Sequence, residues 1–213
     1  IVLLKEDLLV VAEGITEGRR IFANVVKYIR TTLAANVGNF FSLSVLSLFM
    51  RFLPMLPIQL LLVNLLSDLP MVSIGVDRVP TRETARPQQY DMRRLFVFVL
   101  VFGAVNSLFD FVFFRAFGGS DETLVRTGWF ILSIFTEIAA FISLRTLLPF
   151  WRGGRPAAGI LWCSGVACAA SILLPLIPAT RRVFSFSLPN GYEFLIIGGI
   201  LLAYFAANEG AKA

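Results

Sequence analysis

A carboxylate, an amide and a hydroxyl lie close together in one strongly apolar stretch of the sequence. Asp68 follows Asn64 by four residues and Ser67 by one. In a helix, Asn64 and Asp68 share a face, and Ser67 lies beside it. Pro70 lacks a backbone N–H, which frees carbonyl oxygens about one turn earlier. Such oxygen donors suit Mg²⁺, Ca²⁺ or alkali cations. The stretch therefore predicts a cation site with Asp68 and Asn64 as metal ligands; the alternative is hydrogen bonding between helices.

Two further amides lie in the preceding apolar stretch. Asn36 and Asn39 are three residues apart, so a helix places them on one face. Gly38, between them, lets another backbone approach closely. Alone, this pattern favours a hydrogen-bonded patch between helices. Beside the Asn64–Asp68 cluster, it becomes a candidate second wall of the same site.

Three more polar side chains interrupt later apolar stretches. Glu137 lies at the centre of one of them, and a carboxylate inside a bilayer is costly. We therefore expect Glu137 to coordinate a cation or to couple a proton. Asp110 follows Asn106 by one helical turn. For this pair the pattern favours a structural hydrogen bond, with a role in a proton relay as the alternative.

The elements that must position these residues are long apolar helices. Of the 213 residues, 57% are hydrophobic and 15% are charged, against about 25% charged in a soluble domain. This composition excludes an ordinary soluble enzyme domain, and the lack of histidine excludes the usual catalytic triads. Each predicted span approaches the ~20 apolar residues that cross a bilayer. The six spans are 33–50, 57–76, 95–117, 127–148, 157–178 and 192–208.

The basic residues predict the orientation of these spans. Most of the 19 Lys and Arg residues lie on one side, in the N-terminal segment, in two loops and in the tail. The positive-inside rule therefore predicts that both termini are cytoplasmic. The net charge of +5 reflects this topology, and no nucleic-acid partner is expected. Arg145 is predicted to mark the cytoplasmic interface. Aromatic residues near the span ends fit interfacial belts, namely Trp129, Trp151, Trp162 and Tyr192.

The N-terminal segment differs from the rest of the chain. Ile1–Leu4 is predicted to form a short strand, and Lys5 to Gly14 a short amphipathic helix that ends at Gly14. A second helix is predicted to begin near Thr16 and to run into the first span. The start of the chain in an apolar run suggests a piece of a larger protein. The expected fold class is all-α, a polytopic membrane protein whose six transmembrane helices form a bundle with a cytoplasmic stalk.

Three motifs resemble the C-terminal membrane half of P-type cation-transporting ATPases. The run from Glu17 to Asn24, with Tyr28-Ile29 after it, resembles the stalk helix that leaves the phosphorylation domain. Asn36-Val37-Gly38-Asn39 resembles the fifth membrane helix. Pro57-Ile58-Gln59-Leu60, followed by Asn64-Leu65-Leu66-Ser67-Asp68, resembles the sixth. The four later spans match in number and position.

The resemblance implies helices five to ten of a ten-helix, ATP-driven translocase in the plasma (bacterial inner) membrane. Residues 17–213 would be the stalk and transport domain, and residues 1–16 the C-terminal edge of a cytoplasmic phosphorylation domain. The implied partners are the lipid bilayer, the first four helices and the cytoplasmic domains, which bind ATP and Mg²⁺. The implied cation ligands are Asn36, Asn39, Asn64, Ser67 and Asp68, with Glu137 as an acidic ligand from the eighth helix.

One departure from the family pattern bears on the transported cation. Calcium and sodium/potassium pumps usually carry a carboxylate at the position of Asn39. Asn39, Thr127-Gly128-Trp129-Phe130 and Arg145-Thr146 resemble the bacterial magnesium-transporting branch. Mg²⁺ sheds water reluctantly and binds through few carboxylates, so Mg²⁺ is the expected cargo. Ca²⁺, Mn²⁺ and H⁺ stay open as alternatives.

The catalytic motifs of that family do not occur in this sequence. It contains no Asp-Lys-Thr-Gly phosphorylation motif and no Thr-Gly-Glu loop, so the residues 1–213 alone are not expected to hydrolyse ATP. A second hypothesis is a stand-alone six-span secondary transporter or channel, in which Asp68, Asp110 and Glu137 form a cation or proton relay. A third is a structural membrane subunit without an ion site.

Overall fold

The protein is a bundle of helices. The structure, a computed structural model, describes residues 8–79, 84–85, 90–146 and 148–212. Six of its seven helices are long and apolar enough to cross a membrane. Within the described ranges there is no strand, so the all-α, six-span prediction is confirmed. The helices are α1 (Leu8–Phe49), α2 (Pro57–Val72), α3 (Met92–Ala116), α4 (Glu122–Leu144), α5 (Ala158–Leu176), α6 (Pro178–Phe184) and α7 (Gly191–Gly210).

Helix α1 is continuous over 42 residues. At 1.5 Å per residue it is about 63 Å long, roughly twice the thickness of the hydrocarbon core of a bilayer. The predicted helix end at Gly14 is therefore wrong: glycine costs only about 1 kcal/mol inside a helix, and helix-forming residues flank it on both sides. The predicted strand Ile1–Leu4 lies outside the described residues.

Helix α2 contains Pro70 but does not stop there. It continues to Val72 and then tightens into a 3₁₀ turn, Ser73–Val76. The hydroxyl of Ser73 donates a hydrogen bond to the carbonyl of Pro70. The proline therefore marks the last turn of the helix, next to Asp68.

Helix α4 is the central helix of the bundle. It is the most buried of the six spans, and it packs against α1, α2, α3, α5 and α7. Its side chains Trp129, Phe130 and Ile134 lie in the largest apolar cluster. Because α4 is enclosed on all sides, the polar residues it carries, Glu137 among them, are withdrawn from lipid.

The central position of α4 corrects the prediction for Trp129 and explains a buried ion pair of Arg145. Trp129 is buried inside the bundle, with 2% of its surface exposed, and does not belong to an interfacial belt. Trp151, Trp162 and Tyr192 are strongly exposed, as a belt requires. Arg145, at the C-terminal end of α4, is also buried and forms an ion pair with Asp77. Both residues are buried because the neighbouring helices cover α4 from end to end.

Helices α1 and α3 pack very closely where small residues face each other. A Cβ atom added to Gly38 would lie 2.7 Å from Cβ of Asn106 and 2.9 Å from the carbonyl oxygen of Gly103. The hydroxyl of Ser107 donates to the carbonyl of Gly38 at 3.0 Å. This crossing brings the amide of Asn39 within reach of α3.

Candidate cation site

A chain of hydrogen bonds crosses the bundle from α4 through α1 to α3 and back to α4. The Asn39 Nδ2 donates to Glu137 Oε1. Asn39 Oδ1 accepts from Asn106 Nδ2 at 2.8 Å. The same Asn106 nitrogen donates to Asp110 Oδ2 at 3.4 Å, and the indole nitrogen of Trp129 donates to Asp110 Oδ1 at 2.9 Å. All five side chains are buried, so the bundle contains a polar layer closed off from solvent.

Hydrogen bonding explains how this polar layer can be buried. An isolated amide or carboxyl group in an apolar interior costs several kcal/mol, and a hydrogen-bond partner offsets most of that cost. The two carboxyl groups in this row of hydrogen bonds belong to Glu137 and Asp110. Each of them accepts a hydrogen bond from at least one N–H group. The layer is therefore compatible with a stable bundle, although two acidic residues lie within it.

Helix α2 approaches this layer at Glu137. It packs against α4, the helix that carries Glu137. Ser67 is buried, and its hydroxyl donates to the carbonyl of Asn64 at 3.3 Å. The predicted site residues of α1 and α4 therefore meet directly at Glu137, and α2 lies against the same helix.

The other predicted ligands lie at the more open edge of the same helices. Asn36 and Asn64 are half-buried, and Asp68 is exposed. Among the residues that the structure describes, none of these three side chains forms a hydrogen bond. The predicted ligands therefore form two groups. The enclosed group is Asn39, Ser67 and Glu137. The open group is Asn36, Asn64 and Asp68, whose side-chain oxygen atoms accept no hydrogen bond within the described residues.

The donor chemistry is that of a hard-cation site. In the described ranges, no three Asp, Glu, Cys or His side chains gather as a metal cluster. The donors at hand are the carboxylates of Asp68 and Glu137, together with amide and hydroxyl oxygens. Mg²⁺ typically binds through one or two carboxylates and keeps several water molecules.

A second buried cluster, which the sequence analysis missed, lies at one end of the same helices. The carboxylate of Asp77 accepts from Arg145 Nη1 at 3.0 Å, and Lys27 Nζ lies 3.7 Å from it. The amide of Asn24 donates to the backbone carbonyls of Gly75 and Asp77. The cluster joins α1 to the ends of α2 and α4. Asp77 lies about 50 to 70 positions from the side chains that surround it, so no local sequence pattern links them.

The sequence is similar to known proteins over most or all of its length. Residues 52–213 match the family model described as "Cation transporting ATPase, C-terminus". The whole chain is 34% identical to proteins named "Magnesium-transporting ATPase, P-type 1" from Salmonella typhimurium strain LT2 and Escherichia coli strain K12. It is 39% identical over 79 residues, 37% of its length and 9% of the relative's, to a "Calcium-transporting ATPase" of Bacillus subtilis. The chain spans 24% of the length of the two magnesium-transporting relatives.

Proposed function

Because this chain belongs to the P-type cation-transporting ATPases and forms part of their C-terminal membrane region, we propose that it is the transport domain of an ATP-driven Mg²⁺ pump. Residues 17–213 form the stalk and the membrane domain, and residues 1–16 form the edge of a cytoplasmic phosphorylation domain. ATP binds in cytoplasmic domains outside these 213 residues. The chain itself supplies the path and the ligands for the cation.

The proposed ion site lies between α1, α2 and α4, with Glu137 at its centre. The observation that carries this proposal is the buried hydrogen bond between Asn39 of α1 and Glu137 of α4, the helix against which α2 packs with Ser67 and Asp68. Asn36 and Asn64 add oxygen donors at the open edge. A buried carboxylate in a membrane helix is costly, so the presence of Glu137 at this site indicates a function that requires negative charge.

Several observations support Mg²⁺, or a similar hard cation, as the cargo. The proposed ligands supply two carboxylates, Asp68 and Glu137, and otherwise neutral oxygen atoms. Asn39, an amide, keeps the negative charge of the site low. The open edge beside Asp68 leaves space for water molecules, which Mg²⁺ retains more firmly than Ca²⁺ does. Relatives that match over the whole chain are named as magnesium-transporting.

The test uses the full-length protein that contains this chain, reconstituted into lipid vesicles. ATP-dependent Mg²⁺ transport is followed with an Mg²⁺-sensitive dye, while Mg²⁺ is varied on each side in turn at a fixed concentration of Mg-ATP. We expect Asp68→Asn to abolish cation-stimulated turnover, because the site loses a formal charge. Glu122→Gln, at the exposed start of α4, is the matched control and should transport normally.

Normal cation stimulation of the Asp68→Asn protein, at normal expression, would contradict the proposed site. The same vesicles also distinguish a pump from a secondary transporter. Mg²⁺ uptake that is driven by an imposed proton gradient and does not require ATP would overturn the ATP-driven proposal.

A further inference from the structure

The buried hydrogen-bond chain has a direction, and Asp110 sets it. Both carboxylate oxygens of Asp110 accept hydrogen bonds, one from Trp129 and one from Asn106. An indole nitrogen can only donate, and an amide group has one donor side and one acceptor side. With Asp110 ionised, both of its oxygens can only accept, so Asn106 turns its NH₂ group toward Asp110.

The orientation of Asn106 fixes the orientation of Asn39. The NH₂ group of Asn106 also donates to Oδ1 of Asn39, at 2.8 Å. With its oxygen held by Asn106, Asn39 presents its own NH₂ group to Glu137. The acceptor Asp110 thus determines which group donates and which accepts in each hydrogen bond from Asn106 to Glu137.

We propose that Asp110 is a positioning residue of the transport site, which keeps the N–H side of Asn39 turned toward Glu137 and so favours the cation-free site. This inference rests on the proposed function, because it concerns cation binding at Glu137. An N–H group that faces Glu137 occupies one carboxylate oxygen and repels a cation. A cation that uses the oxygen of Asn39 must compete with Asn106 for it.

The substitution Asp110→Asn should exchange donor and acceptor in each of these hydrogen bonds. The oxygen of the new amide accepts from Trp129, so its NH₂ group faces Asn106. Asn106 then turns its oxygen toward that NH₂ group, and Asn39 turns its NH₂ group toward Asn106. The carbonyl oxygen of Asn39 would then face the carboxyl oxygen of Glu137. Two facing acceptors repel each other unless a cation lies between them, so the empty site is destabilised relative to the occupied one.

The experiment measures the Mg²⁺ concentration for half-maximal ATP-dependent transport, and the maximal rate, in vesicles that contain the full-length protein. For Asp110→Asn we expect the half-maximal concentration to fall about fivefold, the scale of one neutral hydrogen bond, and the maximal rate to fall as release slows. A residue that ligates the cation would raise the half-maximal concentration. A purely structural residue would lower the amount of folded protein and leave that concentration unchanged. Either result overturns the proposal.

Two further variants test whether Asp110 acts through Asn39. In an Asn39→Ala background, Asp110→Asn should cause no additional change in the half-maximal concentration; an additional change contradicts the proposal. Asn106→Leu removes the connecting amide without altering Asp110 and should also lower the half-maximal concentration. If the Asp110→Asn protein does not accumulate, an unchanged or raised value for Asn106→Leu overturns the proposal.

The matched control is Arg115→Gln, which removes an exposed charge at the end of the same helix. It should leave the half-maximal concentration unchanged. The variants Asp68→Asn and Glu137→Gln distinguish failure of this inference from failure of the proposed function. If both abolish transport while Asp110→Asn does not tighten cation binding, only the positioning role fails. If both transport normally, the proposed site itself is wrong.

Discussion

At the scale of single residues, Gly38 determines how closely α1 and α3 approach. A Cβ atom at this position would lie 2.7 Å from Cβ of Asn106, which is shorter than real Cβ contacts allow. The helices would have to separate, and the hydrogen bond between Asn39 and Asn106 would lengthen with them. Gly38 therefore contributes both to packing and to the buried polar layer.

We predict that Gly38→Ala lowers the free energy of unfolding by about 1–3 kcal/mol, the usual cost of overpacking a tight contact. Thermal unfolding of the full-length protein in detergent should show a lower midpoint. The matched control is Gly198→Ala in α7, where an added Cβ atom meets open space and should leave the midpoint unchanged or slightly raised. Equal midpoints for the two variants would contradict the close-packing interpretation.

The types and spacing of the candidate residues singled out side chains that the structure buries together, but not their contacts, and their role as a cation site stays a prediction. The cost of burying a carboxylate identified Glu137, and the structure brings Glu137 together with Asn39, 98 positions away. The structure also contains the expected hydrogen bond between Asn106 and Asp110. The partner role of Trp129 was not predictable, because a tryptophan near a span end has the same sequence pattern in an interfacial belt as in a buried contact.

At the scale of helices, the Asp77 cluster fixes the stalk part of α1 to the ends of α2 and α4. Lys27 and Arg145 place two positive charges around one carboxylate, and all three side chains are almost fully buried. Removal of this carboxylate would take from both cations the acidic partner that they share among the described residues, and breaking a buried ion pair from one side is more costly than the loss of a surface ion pair.

We predict that Asp77→Asn destabilises the protein by about 3–5 kcal/mol, the cost that is typical of breaking a buried ion pair from one side. Thermal unfolding in detergent would reveal it as a large drop in midpoint. Glu17→Gln serves as the control, because the ion pair between Glu17 and Arg20 is exposed and its loss should change the midpoint very little. A small shift for Asp77→Asn would show that the cluster is open to water.

The six long helices could be predicted because each contains a long apolar run, whereas the short helix could not. Helix α6, Pro178–Phe184, has seven residues and carries Arg181 and Arg182 near its end. It is too short and too polar to produce a periodic signal, and it falls almost entirely between the predicted spans 157–178 and 192–208. Its position depends on contacts outside itself: Arg181 Nε donates to the carbonyl of Pro175 in α5, at 3.0 Å.

At the scale of the whole molecule, the orientation in the membrane remains a prediction from charge. The turn between α3 and α4 is predicted to face away from the cytoplasm, and the loop between α4 and α5 to face toward it. Ser120 and Arg155 are exposed in these two segments, so each can report on its side.

We predict that, in a full-length protein whose cysteines, Cys163 and Cys168 among them, are all replaced by alanine, Ser120→Cys reacts with a membrane-impermeant maleimide in intact cells. Arg155→Cys should react only after the membrane is permeabilised. Labelling at both positions in intact cells would show that the label had crossed the membrane. The reverse pattern would invert the proposed topology.

The chemistry of α2 also has a consequence for how the protein is made. The span formed by α2 and the turn that follows it, Pro57–Gly75, has 19 residues and carries Asp68, and a charged aspartate costs up to about 2.5–3.5 kcal/mol on insertion scales. It is thus a poor membrane anchor by itself when it emerges from the ribosome. Its main packing partners, α4 and α5, are synthesised later. We therefore expect the insertion machinery to retain α2 until α4 arrives, so that the residues that attract a cation also determine the order of assembly.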